Sequence, residues 1–524
     1  MITLLLLAPL ALPPSTLAQQ PSLPLPSYHQ AQATAPPAPA NLPWSGLQAT
    51  ASDRALWTAT PQGLWRRDPN PKSHPGDRNR FFSGRRWLPD GPIEALSPDS
   101  EGGMWVRTAT ATARISLSPF TLAQKAAAFE ARIPRHLRHG FVANTNLTEP
   151  GNLATTQTRS DDNDGLWTAM YAAAEAYRFA ATQSPEARTR AEQALSAILD
   201  LEDITGRPGL PARSYIVPGE RKPGDGIWYQ SSLRKEVQWK ADTSSDEIVG
   251  HYYAFSVLHD HLPNGPWHKR MTATLRRITD HILNHGLTLT DIHGRPTWWG
   301  RWDKEYFASP RGHDDAPLNA IEILSFLKTA HHITGDVRYH REYLRLANAE
   351  GYAAIGAELL KRCGPAVNYS DEELALLSFY PLLRYEKDTA LLATYRDGLN
   401  QWWQNIQREK NPLWNAIYLA GIGRPPGNAI ALLEDARWTL ERIPMDLIDW
   451  NVSNQHRTDI EWEPNADRHG RRQAKTLLPP DERPIMRWNG NPFRTDGGSG
   501  GRREEDGVFF LLPYWMARAL GYFR

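Results

Sequence analysis

The sequence predicts a mainly α protein: a double ring of helices, inner ones enclosed by outer ones, preceded by a small β-rich appendage. Three observations carry that reading. From residue 121 onward, helices that are apolar on nearly every face alternate with amphipathic ones. The first kind must be buried on both sides, and the second kind must cover them. There are about six of each at a spacing of roughly 40 to 80 residues, as in a repeat that closes on itself. Each apolar helix also opens at a polar cluster.

The chain has 524 residues, 40% of them hydrophobic, which is enough to bury a large core. Lys and Arg number 59 against 58 Asp and Glu, a net charge of +1 that gives no reason to expect nucleic acid or an anionic membrane as partner. The single cysteine, Cys363, excludes an intramolecular disulfide framework and any cysteine-built metal centre. Tryptophan is the unusual entry: its 20 copies exceed both Tyr and Phe, and clustered exposed indoles usually contact something.

Residues 1–18 read as an export signal, with an uncharged apolar run from Met1 to Leu12, a Pro13-Pro14 break and a Thr16-Leu17-Ala18 cleavage site. The run is too short to span a membrane, so no integral membrane segment is expected in the mature chain, which would work in the periplasm or outside the cell. Residues 19–43, rich in Pro, Ala and Gln, read as an unfolded linker. Residues 44–120 form the β-rich appendage. Within it, Leu56-Trp57-Thr58 through Gly63-Leu64-Trp65 has the form of a hairpin, and Pro89-Asp90-Gly91 leading to Met104-Trp105-Val106 repeats the theme. These segments resemble the propeller repeats of sensor proteins, but cover under two blades, where a closed propeller takes four or more.

The helical region spans 121–524. Apolar helices open at Asp161-Asp162-Asn163-Asp164, Thr243 to Glu247, Asp314-Asp315, Asn368 to Asp371, Asn411-Pro412 and Arg503 to Asp506. Amphipathic ones begin near Thr121, Ser184, Asp336, Asp388 and Asn428, with another carrying Met271, Leu275, Ile278 and Ile282. This architecture resembles the six-hairpin (α/α)6 toroid shared by many glycoside hydrolases, several polysaccharide lyases and some sugar epimerases. The resemblance rests on architecture rather than on a diagnostic motif.

In such a ring the inner helices run the same way and their N-termini meet at one mouth, where the helix dipole favours carboxylates. Asp161, Asp162 and Asp164 crowd together there, and like charges that close raise a pKa, as a general acid requires. Glycosidic bond hydrolysis needs one carboxylic acid and one carboxylate. The leading catalytic pair is Asp164 with Asp246 or Glu247, and Glu505 with Asp506 is held in reserve. The loops add Trp298, Trp299, Trp302 and Asp303, then Trp450, His456, Arg457 and Trp488, aromatic faces and polar groups that suit a carbohydrate. Arg301, Arg311, Arg457 and Arg494 around the mouth suit a uronic acid or another anionic sugar, though arginines also hold loops together.

The resemblance also extends to unsaturated-uronide hydrolases, which use an Asp to hydrate a vinyl ether. A lyase or epimerase would instead draw its base from residues such as His251 and Tyr252, with Arg457 to neutralise a substrate carboxylate. A non-catalytic glycan-binding protein would spread isolated carboxylates among stacked rings. No phosphate-cradling loop, nucleophile elbow or H-E-x-x-H pattern occurs, and the histidines, including His331-His332 late on a helix, are scattered along the chain. No cofactor and no metal are expected.

Overall fold

The computed structural model describes residues 20–358, 367–423, 427–485, 487 and 489–524. The segment read as an export signal, residues 1–18, lies outside them.

Among the described residues eight strands come first: β1 (Tyr28–Thr34), β2 (Gln48–Thr50), β3 (Leu56–Thr60), β4 (Gly63–Arg67), β5 (Asn79–Phe82), β6 (Ile93–Pro98), β7 (Met104–Thr108) and β8 (Thr112–Phe120). They make two antiparallel four-stranded sheets, ordered β2-β3-β4-β5 and β1-β8-β7-β6. Both sheets face one apolar cluster that includes Trp57, Leu64, Phe82, Leu96, Val106 and Ile115. Two sheets sharing one core make a sandwich, so the propeller likeness of these segments extends no further.

The linker reading of residues 19–43 needs correction. Tyr28–Thr34 is the edge strand of the second sheet, paired along its whole length with β8. Upstream, Leu23 is tied to the C-terminus by backbone bonds from its N–H to Tyr522 O and from Arg524 N–H to its O. An edge strand needs only one paired side and small inward residues, here Ala31. The bulk composition of the segment hid that local pattern.

Among the described residues fourteen α-helices follow: α1 (Leu122–Glu130), α2 (Asp164–Thr182), α3 (Pro185–Asp203), α4 (Ser245–His261), α5 (Pro266–Asn284), α6 (Lys304–Ala308), α7 (Gly312–Thr334), α8 (Val337–Leu344), α9 (Tyr352–Gly356), α10 (Tyr369–Tyr385), α11 (Thr389–Ile406), α12 (Pro412–Gly421), α13 (Ala429–Arg442) and α14 (Val508–Ala519). The inner ring closes: α2 packs on α4, α4 on α7, α7 on α10, α10 on α12, α12 on α14, and α14 back on α2. Around it lie α1 against α14, α3 against α2, α5 against α7, α8 and α9 against α7, α11 against α10, and α13 against α12. The protein is therefore an (α/α)6 toroid with a small N-terminal β-rich appendage.

Sequence explains the two kinds of helix. α4 buries the unbroken run Glu247 to Leu258, and α14 buries Val508 to Ala517. α5 buries only Met271, Thr274, Leu275, Ile278, Thr279 and Ile282, one stripe at helical spacing. Ser184 caps α3 through Ala187 N–H and is followed by proline at the first helical position.

Two buried polar contacts hold the parts together. Lys125 of α1 has no exposed surface, and its ammonium donates to the carbonyls of Leu440, Glu441 and Ile443 at the end of α13. First and last outer helices are thereby joined. Burial pushes the Lys125 pKa well down. Between appendage and toroid, Arg442 pairs with Asp77, Asp481 and Glu482, and Arg80 reaches Asp481 from β5.

Replacing Lys125 by Met keeps the apolar stem but strands those three carbonyls. We expect a loss of roughly 2–4 kcal/mol, the usual cost of breaking a buried charged hydrogen-bond set. Urea denaturation monitored by circular dichroism measures it. An unchanged midpoint would show that the seam between α1 and α13 does not depend on this lysine.

Candidate active site

All six inner helices present their N-termini at one end of the toroid. Arg487 joins Asp161, ahead of α2, to Asp506, ahead of α14. Glu372 on the first turn of α10 lies beside Glu409, ahead of α12. The remaining N-termini, of α4 and α7, meet those of α2 and α10 around a polar cavity of about 690 Å³.

Asp246 of α4, Asp315 of α7 and Asp371 of α10 line this cavity, each on the first turn of its helix. Trp299 forms part of the wall, and Arg468, Asn489 and Asn491 reach it from the long segment 451–503. Asp371 accepts a hydrogen bond from Asn368 Nδ2 at 2.6 Å. Burial, with the charges of Asp315 and Asp246 added, pushes its carboxyl up to about 7, against the pull of Arg468. Asp315 accepts from the Tyr306 hydroxyl at 2.6 Å.

Asp246 is the electrostatic centre of the group. Its charge adds to burial in raising Glu373, which reaches about 8, and also in raising Glu322 and Glu247. Those three glutamates form a buried layer behind the cavity.

The structure divides the residues singled out from sequence. Asp162, Asp246 and Trp299 line the cavity, with Asp162 tied to Arg213 and Lys240 at 2.7 Å each. Trp298 is 58% exposed beside it, with the Arg311 guanidinium 3.4 Å from its ring centroid.

Asp164 does not reach the cavity. It is fully buried and takes hydrogen bonds from Arg138, Ser214 and the Asp161 N–H. Its pKa is indeed raised, to about 7, but burial is the main cause rather than crowding with Asp161. Glu247 is also fully buried, accepting from the Gly165 N–H at 3.1 Å. Glu247 thereby links α4 to α2, while Asp164 ties the start of α2 to Arg138 and Ser214.

Other expectations also move inward or away. His251 donates from Nδ1 to Glu247 O at 2.6 Å, and burial lowers its pKa to about 4. Tyr252 is bonded to Thr279 Oγ1 in the core. Trp302 is fully buried and donates to Glu322 at 2.8 Å, while Asp303 caps α6 and pairs with Arg301. Asp161 and Glu505 are engaged by Arg487.

Trp450 lines a separate cleft of about 460 Å³ next to the appendage and donates to Asp446. Arg457 is held by Asp459 and Glu482 over the rings of Trp65 and Phe81, and His456 also faces Phe81. These two belong to the joint between appendage and toroid. Trp488 lies outside the described residues.

Asp315 and Asp371 were visible in sequence only as helix openings. Applying the argument made for α2 and α4 to every inner helix would have found both.

No family model matches the chain, and no curated protein matches it. Among solved structures it is similar to AaCel9A in complex with cellobiose-like isofagomine, at 12% identity over 91% of this chain and 98% of that one, with a TM-score of 0.41. It is also similar to a family 76 glycoside hydrolase from a bovine Bacteroides thetaiotaomicron strain, at 10% identity over 73% of this chain and 95% of that one, with a TM-score of 0.25. At these identities no residue role is carried across.

The buried layer behind Asp246 has a pH signature. Glu247 has a folded-state pKa above its ordinary 4.5, so the folded protein keeps a proton that the unfolded chain releases. That stabilising contribution is complete below about pH 4.5 and is lost as pH rises towards the folded value. Glu247→Gln has no such proton. Relative to wild type, it should therefore be more stable at pH 8 than at pH 5 in urea unfolding. Equal differences at both pH values would mean that Glu247 is ionised in the folded protein.

Proposed function

We propose that the protein is a glycoside hydrolase with Asp371 as general acid and Asp246 as general base. The observation that carries this reading is the Asp371 carboxyl, raised to about 7 inside the mouth cavity by burial and by the neighbouring Asp315 and Asp246 charges. A carboxyl half-protonated at neutral pH can give its proton to a glycosidic oxygen. Asp246 accepts no hydrogen bond from a protein group among the described residues, so its oxygens are open to a water in the cavity.

In the proposed reaction, the sugar lies against Trp299 and the Asp371 proton moves to the leaving oxygen. Asp246 takes a proton from water as that water attacks the anomeric carbon from the other face, with inversion. Asp315, oriented by Tyr306, keeps the acid's pKa high. Bond cleavage consumes one water, and the two carboxyls exchange protonation states before resetting through solvent.

The substrate class includes glycans bearing uronic acid. Arg301, Arg311 and Arg494 are occupied by Asp303, the Trp298 carbonyl and the Asp496 carbonyl, and Arg457 lies at the appendage joint. Arg468 is the exposed guanidinium at the cavity, close enough to Asp371 to lower its pKa, and would meet a substrate carboxylate. The lyase or epimerase alternative loses its sequence-chosen bases, since His251 and Tyr252 are locked in the core. A binding protein would not need three carboxylates converging on one cavity. The apolar run from Met1 to Leu12 supports action outside the cytoplasm.

Incubation with neutral and uronic-acid polysaccharides, and with lyase-made oligomers, should release new reducing ends or consume absorbance near 235 nm. Asp371→Asn and Asp246→Asn should each lower kcat by about 10²–10⁴ with little change in KM. Wild-type kcat should fall as pH rises above about 7, because the acid loses its proton. Rising absorbance near 235 nm would instead indicate a lyase. Full activity in both variants would remove the assignment.

A further inference from the structure

At the other end of the ring, two inner helices finish side by side. His259 and Asp260 occupy the last turn of α4, and His332 the last turn of α7. One ligand-capable atom from each lies within 4.8 Å of the other two. We propose that His259, Asp260 and His332 bind a divalent transition-metal cation of the Zn²⁺ class on the face of the toroid opposite the mouth.

The surroundings are those of a ligand set. Nδ1 of His259 lies 3.0 Å from Nε2 of His268 on α5, a bond that fixes the orientation of the His259 ring. The His332 ring is stacked on Tyr385 of α10 with centroids 3.8 Å apart, and its Nε2 lies 3.7 Å from Asp260 Oδ1. The other Asp260 oxygen is held by Arg384, leaving Oδ1 for a cation. The Arg384 guanidinium is thereby paired with Asp260.

Two further arguments favour a cation. The C-terminal ends of α4 and α7 carry their negative dipole ends to this point. Imidazole with carboxylate suits Zn²⁺, and tetrahedral ligands at about 2.0–2.1 Å stand about 3.3–3.5 Å apart. Closing from 4.8 Å asks only a small rotation of the exposed His332. Bound there, the cation would clasp α4 to α7, with solvent water as fourth ligand.

The test uses the full-length protein, stripped with EDTA, exposed to zinc sulfate and desalted. Wild type should retain one zinc per chain and gain several degrees in Tm over the stripped form. His259→Ala and His332→Gln should each lose that zinc and that gain. Their Tm in EDTA, compared with wild type, shows that they are folded. His285→Ala, in a separate histidine pair on the surface, should keep both. Zinc K-edge absorption of the wild type should show two imidazole nitrogens. No retained zinc, retention in both variants, or an all-oxygen shell would each overturn the proposal.

Discussion

A ring of helical hairpins permits one choice of direction: if the chain steps outward and back between successive inner helices, every inner helix points the same way. Six positive dipole ends then gather at one face and six negative ends at the other. Much of the rest follows. Carboxylates collect at the first turns of α2, α4, α7 and α10, and just ahead of α14 at Glu505 and Asp506, where the helix ends favour them. Burial at this end, with the charges of neighbouring carboxylates added, raises the pKa of Glu247, Glu322 and Glu373, and of Asp371 on the cavity wall. A proton donor at neutral pH is thus a by-product of ring geometry, and the proposed chemistry uses it.

The appendage is joined to the same frame through charge. Arg442 and Arg80 converge on Asp481, and Lys125 closes the outer ring while contacting the ring of Tyr28 in β1. Isolated buried charges of this kind are costly, but each here has several partners. The β unit accordingly sits on a buried ionic joint, which explains where His456 and Arg457 went. Both look like site residues in sequence, yet they serve that joint.

The fold was legible because burial leaves a mark on every face of a helix. A run such as Ile248 to Leu258, with no polar stripe, can only be an inner helix, and α5 with its single stripe can only be an outer one. The site was legible to the nearest turn and no further. Adjacent helical residues point about 100° apart, so Asp246 faces the cavity while Glu247 faces Gly165 of α2. Sequence names both and cannot choose between them. The same rotation separates Asp162 at the rim from Asp164 in the core. Tryptophans divide likewise: Trp299 is exposed and Trp302 buried, three residues apart. The β1 strand was missed because its pairing partner, β8, lies some eighty residues away.

In the proposed reaction, sugar is cleaved between Asp371 and Asp246 at the mouth. A crystal structure of Asp246→Asn soaked with an oligosaccharide substrate tests it most directly. Density is expected in the mouth cavity, with a ring on Trp299 and the glycosidic oxygen within hydrogen-bond reach of Asp371. A sugar bound in the Trp450 cleft, or at the cluster of Arg487, Asp161 and Glu505, would contradict it.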